Sequence, residues 1–370
     1  MLPKYVCAVA ALAFTAFLTH AADVEAPPKT LDEQITYLEG ALAESFRLRD
    51  LTMLDMAMQA FKSAKLAEKD LELSMLRSER NASWANAQQY GVAGTPTASI
   101  EAWGLMARAK LGQDSALQAL RKLAGDLPPA PAPLPTMTKD NAADYHAKQI
   151  AIAEFGARAK LHAQAMLALA LLKEPGIAEK ALGAIQNKAN TDHQAAMMGM
   201  YGGGTDPLIL AVLEADHNTG FAKLVAYCSD EKAVVKDQAS VLSELNGLIA
   251  SNANAGGDEA FSVTAVIRKT LPKDAQKKLA APYASMLKRY QPDPNQPWDM
   301  TLNTLSNIGM MLPANSLDAD AVDAINTLVN RLPGAKDQYP KPNFVAIMKR
   351  NGKDFNAPQK PPKPPDDKQF

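Results

Sequence analysis

The chain has 370 residues, of which 47% are hydrophobic and 21% are charged, and its formal net charge at pH 7 is −1. This is the composition of an ordinary globular protein with room for one large core or several smaller ones. Because basic residues are not in excess, the charge balance excludes the electrostatic footprint of a nucleic-acid partner or of an anionic membrane surface. Aromatic residues make up only 6%, so the core consists mainly of Ala, Leu, Met, Val and Ile, which favours packed helices over strands.

Residues 1–22 are predicted to be a secretory signal peptide. Lys4 gives a short positive region, residues 6–18 are apolar, and residues 19–22 supply the small side chains that precede a cleavage site. The apolar run is too short to stay in a membrane as a span, although an uncleaved N-terminal anchor is the alternative. Cleavage removes Cys7 and leaves Cys228 alone, so no internal disulfide can form. We therefore expect an extracytoplasmic protein, periplasmic or secreted, with no transmembrane segment after signal cleavage.

Residues 23–126 are predicted to form an N-terminal helical module. Thr30 and Glu33 have the spacing of a capping box, in which each side chain accepts a hydrogen bond from the other residue's backbone N–H. Apolar residues then follow at helical spacing, and their phase restarts after Asp50. We interpret residues 31–90 as two or three helices packed as a hairpin. A single long coiled coil is the alternative, and the phase break argues against it.

Proline marks the next boundary and the C-terminal tail. Five prolines within residues 127–135 exclude a helix and favour an extended chain. We therefore predict a proline-rich linker over residues 127–139, followed by a helical-repeat domain over residues 140–356. Residues 357–370 alternate Pro with Lys, which predicts a disordered tail, or else a docking segment for another protein or an anionic polymer.

Helix–turn–helix units recur along the chain, and the later ones are spaced by roughly forty residues. Residues 102–120 combine a small-residue helix, a short Gly/Asp turn and an Ala-Leu-x-x-Leu second helix, and residues 166–185 and 195–213 repeat this pattern more loosely. These units resemble HEAT and armadillo repeats, in which two-helix units stack. The resemblance implies an all-α fold: a helical hairpin region followed by a HEAT-like stack of antiparallel helix pairs, an α-solenoid with a concave face that holds another protein.

Catalytic motifs are missing from the sequence, which has no Gly-x-Ser-x-Gly, His-Glu-x-x-His, Cys-x-x-Cys or phosphate-binding loop. Cys228 would act as a nucleophile only if the fold supplied a histidine, and a lone buried cysteine is the alternative. His146 and His162 lie sixteen residues apart on one predicted helix, which places them on nearly opposite faces. We therefore predict no catalytic residue and no cofactor.

One group of side chains has the chemistry of a zinc site, because imidazole nitrogens and carboxylate oxygens bind this ion. Its members are Asp192, His193, Glu214, Asp216 and His217. The first two lie at the start of one predicted helix, and the other three lie at the end of its antiparallel partner. Antiparallel pairing would bring the two ends together. The alternative is that Asp192 begins a helix and that His217 interacts with a helix dipole.

The leading hypothesis from these patterns is an exported, non-catalytic helical-repeat protein that acts as a protein-binding scaffold in the cell envelope. Its partner would be another protein. A small-ligand or metal-binding periplasmic protein centred on residues 192–217 is the second hypothesis. An enzyme of helical fold, with a site spread over several helices and no recognisable motif, is the third.

Overall fold

The structure of the protein is a computed structural model. It describes most of the chain between the N-terminal segment and the C-terminal tail, over residues 30–64, 66–90, 98–129, 131–132, 134–138, 141–188, 206–250, 262–292, 299–332 and 340–354. The predicted signal peptide, over residues 1–22, and the predicted tail, over residues 357–370, lie outside this part of the chain.

Every regular element of the described residues is a helix, so the predicted all-α class is confirmed. No strand occurs in these ranges, and an isolated bridge joins Asp50 to Ser262. Within the same ranges, no helix combines the length and the apolar character that crossing a bilayer requires.

The described helices fall into two compact units. The helices of the first unit are α1 (Leu31–Leu48), α2 (Leu51–Ala64), α3 (Glu68–Tyr90), α4 (Ala98–Lys110), α5 (Asp114–Leu123), α6 (Ala142–Leu171), α7 (Ile177–Lys188), α8 (Pro207–Ala215) and α11 (Val263–Thr270). The helices of the second unit are α9 (Gly220–Ser229), α10 (Val235–Ala250), α12 (Ala275–Lys278), α13 (Ala280–Arg289), α14 (Met300–Met311), α15 (Ala319–Arg331) and α16 (Lys341–Arg350).

The first unit begins with three helices. Thr30 Oγ1 accepts from the Glu33 N–H at 3.1 Å and Glu33 Oε2 accepts from the Thr30 N–H at 3.0 Å, so the predicted capping box starts α1. Helix α1 ends at Arg49, which has a positive φ of 54°, and Asp50 Oδ1 caps α2 by accepting from the Met53 N–H at 2.9 Å. The phase break near Asp50 is therefore a helix boundary, and the alternative of one long coiled coil is wrong.

Helices α4 and α5 form the helix pair predicted from residues 102–120. They pack together across a turn in which Gly112 has a positive φ of 91°. Trp103 on α4 and Leu120 on α5 are fully buried. Helix α6 packs on both of these helices and also on α7 and α8. Helix pairing is thus present here, whereas the stacking of pairs into a solenoid stays a prediction.

The predicted linker contains no helix in its described residues, as its prolines require. Contacts nevertheless join its two sides, because α6 packs on α4 and α5. The two compact units divide after Gly220, with residues 252–270 also in the first unit, and the predicted division into domains at the linker stays a prediction. Burial explains why the two sides of the proline segment belong together. Residues 165–170 of α6 are all buried, so this end of the helix needs neighbours on every side.

The second unit has a close helix contact at its centre. Tyr283 on α13 is fully buried, and a Cβ at Gly309 on α14 would lie only 2.6 Å from the Ile347 side chain of α16. Because such a separation is far below van der Waals contact, a side chain at position 309 would displace its neighbours in this contact. Arg350 strengthens the same contact, since its Nη2 donates to the Leu312 carbonyl at 2.9 Å and so caps the end of α14.

Candidate functional site

The predicted metal ligands are only partly within the described part of the chain. Asp192 and His193 lie outside it. In the ranges that the structure describes, no three His, Cys, Asp or Glu side chains lie close enough together to hold a metal ion. The five-residue metal site therefore stays a prediction.

The other three predicted ligands lie at the end of α8, where Glu214 contacts both Lys173 and His217 and Asp216 bonds to Thr219. Glu214 is buried, and Lys173 donates to its Oε1 at 2.6 Å while His217 Nε2 lies 3.8 Å from the same oxygen. Asp216 Oδ1 accepts from the Thr219 N–H at 3.0 Å. The Asp216 carboxylate therefore stabilises the turn that leads into α9, while Glu214 balances a lysine.

A shallow cleft adjoins these residues, between the α6–α7 turn and the end of α8. Its volume is about 210 Å³, and it is lined by residues 173–179 together with Ala215 and Asp216. Of its charged side chains, Lys173 pairs with Glu214, and Glu174 accepts two bonds from Arg121, at 2.9 and 3.0 Å. These two side chains of the cleft are thus paired within the protein.

Cys228 lies in the interior of the second unit. Its side chain is fully buried on α9, and its Sγ lies 3.7 Å from the Gln238 carbonyl oxygen. Burial raises the pKa of the thiol to about 12. Because the thiolate is the reactive form of cysteine, this environment favours the lone buried cysteine over a nucleophile.

We therefore expect Cys228 to resist alkylation in the folded protein. Iodoacetamide at pH 8 should leave the peptide that contains Cys228 unmodified, whereas the same treatment in strong denaturant should modify it completely. The measurement is mass spectrometry of the digested protein, with added free cysteine as the reactivity control. Rapid modification of the folded protein would show an accessible thiolate and would support the hypothesis that Cys228 is a nucleophile.

The two histidines of α6 have opposite environments, as their spacing predicted. His146 is exposed, whereas His162 is buried and its Nδ1 lies 3.1 Å from the Leu123 carbonyl oxygen. Burial lowers the pKa of His162 below its usual value, and hydrogen bonds to the carbonyls of Leu123 and Gly125 and the charge of Asp126 oppose this shift. The histidine joins the end of α5 to α6 as a neutral hydrogen-bonding group.

The lowered pKa of His162 predicts a pH-dependent stability. The unfolded chain takes up a proton near pH 6.5, before the folded chain does, so the stability present above this pH is lost as the pH falls through it. Thermal unfolding should therefore show a lower melting temperature at pH 5.5 than at pH 7.5, and His162→Asn should reduce this difference. The exposed His146 provides the matched control, and H146N should leave the difference unchanged. Equal pH dependence in all three proteins would contradict this assignment.

Helix α3 presents an apolar face to solvent. Leu73, Leu76 and Trp84 are 45%, 49% and 63% exposed, and Trp84 is the most exposed large hydrophobic side chain of the described residues. At about 100° per residue, Leu73 and Trp84 lie about 20° apart around the helix axis, and Leu76 lies about 60° from Leu73. Arg77 and Arg80 fall in the same sector and are exposed. We call these five residues the α3 face.

The opposite side of α3 explains why this face points outward. Ser74, Ser78 and Ala82 are buried at spacings of four residues, and α3 packs on α1. Small side chains at this spacing allow two helices to approach closely. Ser78 Oγ donates to the Ser74 carbonyl at 2.8 Å, so the buried hydroxyl is satisfied within the helix. The small-residue stripe is the packed side, and the larger apolar side chains remain on the outer one.

The charges of α3 are also divided between two directions. Glu72 and Glu79 point toward α4, where Arg108 bonds to both carboxylates. Arg77 keeps 54% of its side chain exposed and lies 3.4 Å from a glutamate of α1. Arg80 has no ion-pair partner among the described residues. The α3 face therefore combines apolar side chains with positive charge.

The α3 face is not among the predicted sites, although the sequence contains a signal for it. Leu73, Leu76 and Trp84 share a helix face, and the neighbouring Ser74 and Ser78 form a second face. The pattern of apolar residues alone assigns the first face to the core. The sequence of α3 thus contains two candidate packing faces, and this indicates that one of them is exposed to solvent.

Comparisons of the chain with protein-family models, with curated proteins and with solved structures found no match. The fold and the α3 face therefore define a class in physical terms: an all-α protein with an exposed face of apolar and basic residues on one helix.

Proposed function

We propose that the protein is an exported, non-catalytic helical protein that binds another protein in the cell envelope, and that the α3 face is its binding surface. The observation that carries this proposal is the exposure of Trp84 together with Leu73 and Leu76 on one helix face. Transfer of such side chains from water to a protein interface is favourable, by about 25 cal/mol for each Å² of apolar surface.

The residue types of the α3 face support a protein partner. Tryptophan and arginine are the residues most enriched among those that dominate binding energies in protein interfaces, and leucine adds apolar area around them. Here Trp84 lies beside Arg77 and Arg80 on α3, and the buried opposite side of α3 holds this helix in place. A rigid surface of this kind loses little conformational entropy when it binds.

The predicted signal peptide supports the location. Residues 1–22 combine a positive start, an apolar segment and small residues before a cleavage site. Export places the α3 face outside the cytoplasm, where its partner would be a protein of the envelope or the exterior.

Site-specific photo-crosslinking in the native cells tests this function. Benzoylphenylalanine replaces Trp84 in one strain and the exposed Gln118 of α5 in a control strain. We expect illumination to join position 84 to one defined partner protein, identified by mass spectrometry, and Arg80→Glu in the same chain to suppress the product. Position 118 should give no such product. Equal labelling from both positions, or none from position 84 in correctly exported protein, would contradict the proposal.

A further inference from the structure

The position of Arg80 restricts what the α3 face can bind. On the helix circumference Arg80 lies about 20° from Leu73 and about 40° from both Leu76 and Trp84, so it is in the middle of the apolar side chains. An apolar surface laid over this face would bury the Arg80 guanidinium. A buried charge without a counter-charge is strongly unfavourable, so the occupant must supply a hydrogen-bonding anionic group at this point.

Of the two arginines of the α3 face, Arg80 is the one whose charge is not balanced by an ion pair among the described residues. Lys69 and Asp70 are exposed at the start of α3 and offset each other. Arg77 lies 3.4 Å from a glutamate of α1, and the acidic side chains at 72 and 79 bond to Arg108 on another side of the helix. Arg80 therefore attracts a carboxylate to the centre of the α3 face.

A second copy of this chain is a poor occupant. In an antiparallel pairing that places Leu73 against Trp84 of the second copy, Arg77 of one chain faces Arg80 of the other. In a parallel pairing, each arginine faces its own equivalent. Both arrangements place like charges against each other at the centre of the contact, which is unfavourable.

An anionic membrane surface is also a poor occupant. Helices that lie in a membrane interface keep their basic residues on the polar side and insert an uninterrupted apolar side among the lipid chains. On the α3 face the order is reversed, because Arg80 lies between Leu76 and Trp84 rather than beside them. Insertion of this face would take the guanidinium into the hydrocarbon region, whereas a protein partner can place a carboxylate against it.

We propose that the α3 face binds a helix of another protein that presents leucine-like side chains together with Glu or Asp residues placed to pair with Arg80. This inference rests on the proposed function and specifies the chemistry of its partner. Positions 73, 76, 80 and 84 follow each other at spacings of three and four residues, which is the spacing that packs one helix along another. The carboxylates of the partner select its register, and Trp84 and the two leucines supply apolar area.

Synthetic helices test this inference with purified full-length protein. Three peptides, each about three heptads long, carry the same leucine seam and differ only in their flanking residues, which are Glu, Gln or Lys. Fluorescence anisotropy measures their affinities at low and moderate salt. We expect the Glu peptide to bind about tenfold more tightly than the Gln peptide, and the Lys peptide to bind least. Added salt should reduce this preference.

Reversal of charge provides the decisive comparison. Arg80→Glu should abolish the preference for the Glu peptide and improve binding of the Lys peptide, whereas Arg158→Glu, at an exposed position on α6, should change nothing. Both variants should keep the circular dichroism spectrum and melting temperature of the parent. Equal binding of all three peptides would overturn the acidic partner while leaving a protein-binding face in place.

Three other results would overturn the inference as well. These are a failure of every peptide to bind, tighter binding to vesicles of anionic lipid than to the Glu peptide, and a dimer in sedimentation that Trp84→Ser dissociates. Photo-crosslinking from position 84 gives its answer independently of these experiments, so a failure of the acidic partner is distinguishable from a failure of the proposed function.

Discussion

Replacement of Arg108 by alanine is expected to destabilise the first unit by about 3 kcal/mol at pH 7. The Arg108 side chain is 9% exposed and bonds to Glu79 and, at 3.2 Å, to Glu72. Without it, the partly buried Glu79 carboxylate has no counter-charge. The Glu79 carboxylate lies against Gly104 of α4, where a Cβ would overlap it.

The pH dependence of this variant has a defined sign. Burial already raises the pKa of Glu79 in the parent protein, although the charge and the hydrogen bond of Arg108 act to lower it. Removal of Arg108 raises it further, so the folded variant binds a proton at a pH where the unfolded chain does not. The loss of stability should therefore be larger at pH 7 than at pH 5.

Urea unfolding followed by circular dichroism, with hydrogen exchange of α3 and α4 to localise the effect, measures both predictions. Arg121→Ala is the matched control, because it breaks an ion pair that is open to solvent and should change stability little. The double variant Arg108→Leu/Glu79→Leu should recover much of the loss. A loss as small as that of the control would show that the Arg108 pair contributes nothing measurable.

Replacement of Gln238 by leucine is expected to destabilise the second unit by about 3 kcal/mol. Gln238 is fully buried, and its Nε2 donates to the carbonyls of Tyr227 and Asp230, both at 2.7 Å. Its Oε1 accepts from Arg289, whose Nη1 donates in turn to the Ala233 carbonyl at 3.0 Å. Leucine fills the space but leaves buried polar groups without partners, which is the costly case.

The variant should first release the turn between α9 and α10, because the lost bonds are those that hold it. Hydrogen exchange read by mass spectrometry should show faster exchange over residues 227–235, together with a lower midpoint of urea unfolding. Gln276→Leu is the matched control, because the Gln276 side chain makes a single exposed bond, to the Met311 carbonyl at 2.8 Å. Unchanged exchange at the turn in Q238L would contradict the role assigned to this network.

Local features of the fold could be predicted from the sequence because they depend on neighbouring residues. The capping box at Thr30, the helix boundary at Asp50 and the interruption by the proline segment all follow from backbone hydrogen bonding within a few residues. A bond of the same local kind starts α8, where Asp206 Oδ1 accepts from the Leu208 N–H at 2.9 Å.

The boundary between the compact units could not be predicted in the same way. Helix α11 joins the first unit, and the Val263 N–H donates to the Arg49 carbonyl at 3.0 Å. More than two hundred residues separate these two groups along the chain. No local pattern encodes such a pairing, because it depends on which surfaces remain uncovered after the helices have packed.

The α3 face was missed for a related physical reason. Helical spacing shows that Leu73, Leu76 and Trp84 share a side, but it does not show whether a neighbour covers that side. Burial of the small side chains along Ser74 and Ser78 gives the closer packing, since it allows α1 to approach closely.

The described members of the predicted metal site have roles that their sequence neighbours alone do not reveal. Glu214, for example, pairs with a lysine from the α6–α7 turn.

Oxidative footprinting of the α3 face in the native envelope tests the central claim most directly. Hydroxyl radicals should oxidise Trp84 readily in the purified protein, because its side chain is 63% exposed. In intact cells Trp84 should be protected severalfold, while Met311, 41% exposed in the second unit, should be oxidised as in the purified protein. Such protection, lost in Arg80→Glu, is what the binding of a partner to the α3 face predicts. Equal oxidation of Trp84 in cells and in the purified protein would show that nothing covers this face and would contradict the proposed function.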